Sequence, residues 1–191
     1  MKIGLFFGSF NPVHTGHLLI ANYFVQFTGL DKIWFIISPQ NPFKINDELL
    51  EENTRLHLMR LAINGDERFV ASDFEFRLSR PSYTVNTLQE LRNSFPDNTF
   101  IPIIGGDNLQ SFHLWKEYET ILQHHEIYVY RRAGFHENPL LANHPQIKIF
   151  EVPLLNISST YVREMLQAGK SIKYMVPQVV EEFIAMKGLY K

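Results

Sequence analysis

The chain has 191 residues, 45% of them hydrophobic, with 16 Phe and 8 Tyr, which is enough apolar surface for one sizeable core in one domain. A formal charge of −2 excludes the basic field that general nucleic-acid binding uses, and the absence of cysteine excludes disulfides and thiolate metal sites. No apolar run approaches the roughly 18–20 residues of a membrane span, and no basic n-region with an apolar h-region marks a signal peptide, so a cytoplasmic protein is expected.

Residues 3–7 read as a buried strand running into a glycine turn. A helix is predicted over 15–26, with Gly29 as its stop. Residues 32–37 form a second continuous apolar strand, as in a parallel sheet covered on both faces. Strand, helix, strand is a βαβ unit, expected to be right-handed. A loop with Pro39 and Pro42 follows over 38–46. Asn53 is expected to cap a helix through Ile63, closed by Gly65. Residues 69–76 read as a strand whose alternation turns Asp73 and Glu75 to solvent.

Ser82 or Thr84 is expected to cap a helix to about Ser94. Residues 99–104 are another strand, ending in Gly105-Gly106-Asp107. Short helices follow, with Trp115 at the start of the second. Strands are predicted over 126–130 and 147–150. Ser158 or Ser159 is expected to cap a helix to about Gln167, and Pro177 suits the first turn of a last helix through Met186. Alternating strands and helices predict an α/β, doubly wound, mostly parallel sheet. Ligands in such sheets bind beyond the carboxyl ends of the strands, so the turns after Phe7, Ile37, Ile104 and Tyr130 should converge. The part from about 157 to 191 is expected to pack on that domain.

The densest stretch for chemistry is Gly4-Leu5-Phe6-Phe7-Gly8-Ser9-Phe10-Asn11-Pro12-Val13-His14-Thr15-Gly16-His17. His14 and His17 are spaced to share one helix face. They stand where unpaired N–H groups and the helix dipole favour an anion. Gly8, Ser9 and Gly16 are small enough for a ligand to approach the backbone. A nucleotide triphosphate is the expected ligand. Taken alone, His-x-x-His would more simply be a capped core helix with two exposed histidines.

The stretch resembles the Gly-Ser/Thr-Phe-Asp/Asn-Pro-x-His-x-Gly-His signature of the HIGH-motif nucleotidyltransferases, with Phe7 where many relatives carry a second glycine. Ile157-Ser158-Ser159-Thr160-Tyr161-Val162-Arg163 could by itself be a plain capped helix with a surface arginine. Beside the first motif it resembles the late signature of the same superfamily, which holds the β- and γ-phosphates of ATP. Gly105-Gly106-Asp107 matches where relatives hold the adenosine, and Asp107 is also a candidate N-cap.

Pro81-Ser82-Tyr83-Thr84, Leu114-Trp115-Lys116-Glu117-Tyr118 and Arg131-Arg132-Ala133-Gly134 resemble segments of the bacterial nicotinate-nucleotide adenylyltransferases. An indole stacks on the nicotinate ring there, and nearby donors hold the ring carboxylate; Tyr83 is the residue expected to pack rather than touch. The resemblance also puts Lys44 near the transferring phosphates, in a loop where Phe43 stands for a frequent histidine.

The resemblance implies AMP transfer from ATP to nicotinate mononucleotide, with deamido-NAD and pyrophosphate as products. His14, His17 and Arg163 would be catalytic. Gly8, Ser9, Phe10, Gly106, Asp107, Ile157, Ser158, Ser159 and Thr160 would join them on ATP. Lys44, Thr84, Trp115 and Arg132 would bind the acceptor. Mg²⁺ would ride on the phosphates without a carboxylate cage. The remaining histidines lack metal-ligand spacing, and His124-His125 read as partners of a helix dipole. A pantetheine-phosphate adenylyltransferase, a preference for the amide acceptor, a non-catalytic nucleotide sensor, and a homo-oligomer all stay open.

Overall fold

Apolar runs such as Ile33 to Ile37 cannot face water on either side, and in this fold neither face does. The computed structural model describes residues 1–39, 49–131, 138, 141, 143–153 and 155–190. The strands are β1 (Lys2–Gly8), β2 (Lys32–Ile37), β3 (Phe69–Ser72), β4 (Thr99–Gly105), β5 (Ile127–Tyr130) and β6 (Ile147–Phe150). They pair in parallel, in the order β3-β2-β1-β4-β5-β6. The helices are α1 (Thr15–Phe27), α2 (Glu52–Ala62), α3 (Thr84–Ser94), α4 (Gly106–Ser111), α5 (Tyr118–His124), α6 (Ser159–Gln167) and α7 (Gln178–Lys187). The doubly wound sheet expected from the alternation is thus present.

Side chains alternate between the two faces, as the pleat requires. Phe6, Ile33, Phe35 and Tyr128 point to a core filled by Phe24 of α1, Met59 of α2, Val162 of α6 and Ile184 of α7. Ile3, Leu5, Ile127 and Val129 point to the other, filled by Leu88 of α3, Leu109 of α4 and Ile121 of α5. Phe24 is fully buried against Tyr128 and Phe150, and burial of such a ring is worth about 1.5–3 kcal/mol. Strand order reverses between β1 and β4, and the crevice beyond their carboxyl ends is where doubly wound sheets bind ligands.

Several local expectations are corrected. The third strand ends at Ser72, not Phe76, because its register with β2 runs out at Ile36 opposite Ser72. The Ser72 hydroxyl then accepts from the Phe74 N–H, and a 3-10 turn covers Phe74–Arg77. That turn buries Glu75 instead of exposing it. Glu51, not Asn53, caps α2 by accepting from the Thr54 N–H at 3.0 Å. Tyr83 takes the N-cap position of α3, and Gly105 that of α4, so Asp107 lies inside the first turn. Trp115 ends the 3-10 turn Phe112–Leu114 and precedes α5. Ser158 does cap α6, accepting from the Tyr161 N–H at 3.1 Å.

His125 also departs from expectation. It is buried, with Nδ1 2.8 Å from the Phe100 carbonyl. A neutral imidazole donates there. Burial pulls its pKa below the ordinary value, the bond to the Phe100 carbonyl partly offsets this, and the charge of Arg92 adds to the lowering. The unfolded chain therefore binds the proton more readily. Stability should be complete above a pH of about 6.5 and fall as pH drops below it. Urea unfolding of the protein and of His125→Asn at a series of pH values from 7.5 to about 5 checks this, with the variant expected to show the shallower loss.

Candidate active site

Beyond the carboxyl ends of β1 and β4 lies a cavity of about 560 Å³, within the range of small-molecule sites. Its wall includes Gly8, Ser9, Phe10, His14 and His17 after β1, Ser38 after β2, Gly105 and Asp107 after β4, and Tyr130 at the end of β5. The four predicted turns therefore converge. Ile157, Ser158, Ser159, Thr160 and Arg163 close the cavity from the late part of the chain. Thr84 and Trp115 line it from the opposite layer. Gly106 is buried in the first turn of α4 and is not part of the wall. Lys44 and Arg132 lie outside the described residues.

The histidine pair shares one direction, as its spacing predicts. The two rings stack with centroids 3.6 Å apart and planes 24° apart. The His17 Nδ1 accepts from the His14 backbone N–H at 3.2 Å. That bond selects the neutral tautomer with hydrogen on Nε2, so the ring's other nitrogen is a donor. Phe10 meets the His17 ring edge-on at 4.9 Å and braces it from the side. Phe10 is 3% exposed and holds a left-handed backbone at φ 47°, an unfavourable conformation for a bulky residue that its packing enforces.

The glycines here answer to the protein's own rings. A Cβ at Gly8 would lie 2.8 Å from the Phe10 ring, and one at Gly16 would lie 3.0 Å from His14 Nδ1. The start of α1 is also partly used: the Thr15 N–H donates to the Met175 carbonyl at 2.8 Å. The expected anion-binding terminus is thus narrower than the motif alone implies.

Distant side chains hold the backbone of the turn after β1. Arg163 Nη1 donates to the Asn11 carbonyl at 2.9 Å, and the Ser159 hydroxyl donates to the Pro12 carbonyl at 2.8 Å. Arg55, 1% exposed, donates from Nη1 to the carbonyls of Ser9 at 2.7 Å and Ser38 at 2.9 Å. Its remaining bonds reach the carbonyls of Pro39 at 3.2 Å and Leu50 at 2.8 Å. Burial lowers the pKa of this guanidinium, yet arginine keeps its charge. The Asn11 side-chain oxygen accepts from the Tyr190 hydroxyl at 2.9 Å and from the Leu50 N–H at 3.2 Å. Burial pushes the Tyr190 phenol above its ordinary range, so it stays a donor.

On the opposite wall Trp115 packs against Phe112 with ring centroids 5.0 Å apart. Lys116 Nζ sits 5.0 Å from the centroid of the Tyr83 ring, tying the tryptophan segment to the start of α3. Tyr83 therefore packs, as expected, while also bordering the cavity. Below it Glu75 accepts from Ser82 and Thr87.

Arg55, Glu75 and Lys116 escaped the reading of the sequence. Arg55 had a signal: it precedes buried Leu58 and Met59 at helical spacing, on the inward face of α2. Glu75 had none, because strand alternation points it outward.

A cytidylyltransferase-like family model matches residues 5–165. A "probable nicotinate-nucleotide adenylyltransferase" of Cytophaga hutchinsonii is 47% identical over 190 residues, spanning 100% of this chain and 98% of the relative. One of Bacteroides fragilis is 46% identical, spanning 96% of this chain and 91% of that one. Nicotinic acid mononucleotide adenylyltransferase of Plasmodium falciparum, solved complexed with NaAD, superimposes with a TM-score of 0.83. It is 21% identical, over 99% of this chain and 97% of that one, and this likeness carries the fold alone. With full-length relatives above 40% identity and a family model over most of its length, the chain belongs to the nicotinate-nucleotide adenylyltransferase family of cytidylyltransferase-like proteins.

Proposed function

We propose that the chain transfers AMP from ATP to nicotinate mononucleotide, releasing pyrophosphate and forming deamido-NAD. The observation that carries this reading is the meeting of the His14–His17 pair, the Ser158–Arg163 segment and the Thr84–Trp115 wall in one cavity. A triphosphate needs the first two groups and a flat aromatic acid needs the third. The same reading takes residues 1–191 as one domain, supported by Val162, Val180 and Ile184 lying in the common core. No helix among the described residues is long and apolar enough to cross a membrane, and we assign the reaction to the cytoplasm.

The acceptor's phosphate is already an anion near neutral pH, so an in-line attack on the α-phosphorus needs no covalent enzyme intermediate. The chain's work is then positioning and charge stabilisation. His17, with Nε2–H as donor, and His14 beside it would meet the α-phosphate as charge develops. The backbone N–H groups at the start of α6 and the Arg163 guanidinium would hold the departing pyrophosphate. Asp107 and the backbone at Gly105 would border the adenosine. Trp115 would stack on the pyridine ring, with backbone donors at Thr84 for its carboxylate.

Mg²⁺, which keeps much of its water and leans on substrate oxygens, would be held through the phosphates of ATP. When bound there, it would draw charge from the leaving pyrophosphate.

The deciding experiment is pyrophosphate release from ATP and Mg²⁺ with nicotinate mononucleotide, nicotinamide mononucleotide or phosphopantetheine as acceptor. Nicotinate mononucleotide should give the highest kcat/KM, and EDTA should abolish turnover. Release with no acceptor in the panel, or a clear preference for another one, would overturn the reading. His17→Ala should lower kcat by about 10²–10³, the scale of losing one preorganised donor. A change confined to KM would remove His17 from the transition state.

A further inference from the structure

The cavity wall holds one carboxylate that the mechanism above does not use. Glu75 lies in the 3-10 turn after β3, lines the cavity and is 2% exposed. No ion pair to it is present among the described residues. Its donors are hydroxyls. Ser82, just before α3, donates to Oε2 at 2.9 Å, and Thr87, in the first turns of α3, donates to Oε1 at 2.8 Å. Ser38, in the turn after β2, lines the same cavity. Ser82 is 9% exposed and Thr87 fully buried, so these donors have little water to turn to.

A buried carboxylate without a cation is costly, and it persists where its bonds fix something. Between Ser82 and Thr87 lie Tyr83 and Thr84, the residues at which α3 opens onto the cavity. Tyr83 in turn receives Lys116 beside Trp115. We infer that Glu75 is the positioning residue of the acceptor half of the site: by gathering the hydroxyls of Ser82 and Thr87 it fixes the start of α3 against the 3-10 turn after β3. This deepens the proposed function and rests on that reading for the identity of the acceptor. Burial keeps the Glu75 carboxyl above its ordinary range, which the hydroxyl bonds partly offset.

The ATP half has its own supports and should not feel the change. When Glu75 is lost, Ser38 keeps its N–H bond to the Gly8 carbonyl at 2.9 Å and its carbonyl bond from Arg55 at 2.9 Å. The turn after β1 keeps Arg55, Ser159 and Arg163. A structural role spread over the whole fold would disturb both substrates together. A positioning role at α3 should disturb only one.

The test measures KM for both substrates and kcat in the full chain. Glu75→Ala should raise KM for the acceptor by about tenfold or more, as expected when buried hydroxyls lose their partner. KM for ATP should stay within about twofold on the same scale. Glu75→Gln, which keeps the length and one carbonyl acceptor, should recover most of the loss. Should Glu75→Ala fail to fold, the milder pair Ser82→Ala with Thr87→Val decides by the same readout. An unchanged acceptor KM, or parallel rises for both substrates, overturns the inference. If the wild-type protein uses an acceptor other than nicotinate mononucleotide, the selective rise is expected with that acceptor. The assignment of Glu75 then stands while the proposed substrate falls.

Discussion

The carbonyl oxygens of the turn after β1 are held from behind by side chains remote in sequence. Arg55 takes Ser9, Arg163 takes Asn11 and Ser159 takes Pro12. A turn this tight would otherwise leave buried acceptors competing for water, at a cost of about 1–3 kcal/mol each. With its carbonyls bound on the protein side, the turn keeps a left-handed Phe10 and a braced His17. The histidine geometry therefore depends on residues more than 40 positions downstream, and in two cases near 150. This gives Ser159 and Arg163 a role in the fold that the motif alone does not convey. A guanidinium has five N–H donors, so a bond to Asn11 and a ligand contact do not exclude each other.

The sheet was legible because its signal is redundant. Parallel strands covered on both faces are unbroken apolar runs, and β2 was read to the residue; the edge strand β6 was too, although Lys148 interrupts its apolar run. The outer motifs were legible because each is a string of unusual residues whose order carries meaning. Legibility failed where a single polar residue acts by burial. Asp73-Phe74-Glu75-Phe76 alternates as a strand should. The ladder with β2 stops at Ser72, one residue short of the end of β2, and the chain coils so that Glu75 turns inward. No property of residues 69–76 themselves reports where that ladder stops.

Caps failed for a related reason. Glu51 and Tyr83 took positions that preference would give to Asn, Ser, Thr or Asp. Ser82 was the natural cap of α3, but its hydroxyl serves Glu75 instead. The more valuable partner won: a buried carboxylate loses more without its donors than a half-solvated helix end does without its acceptor.

The two halves of the site are joined through the sheet. Ser38, just beyond β2, donates its N–H to the Gly8 carbonyl at the end of β1 and offers its own carbonyl to Arg55. On its other side β2 pairs with β3, and the turn after β3 carries Glu75. An in-line transfer requires both phosphates to be aligned within a fraction of an ångström. Two binding halves mounted on separate strands of a sheet meet that demand only if something rigid spans them. The parallel ladder from β1 through β2 to β3 does so, because its backbone hydrogen bonds fix the spacing between the turn that leads to His17 and the turn that carries Glu75.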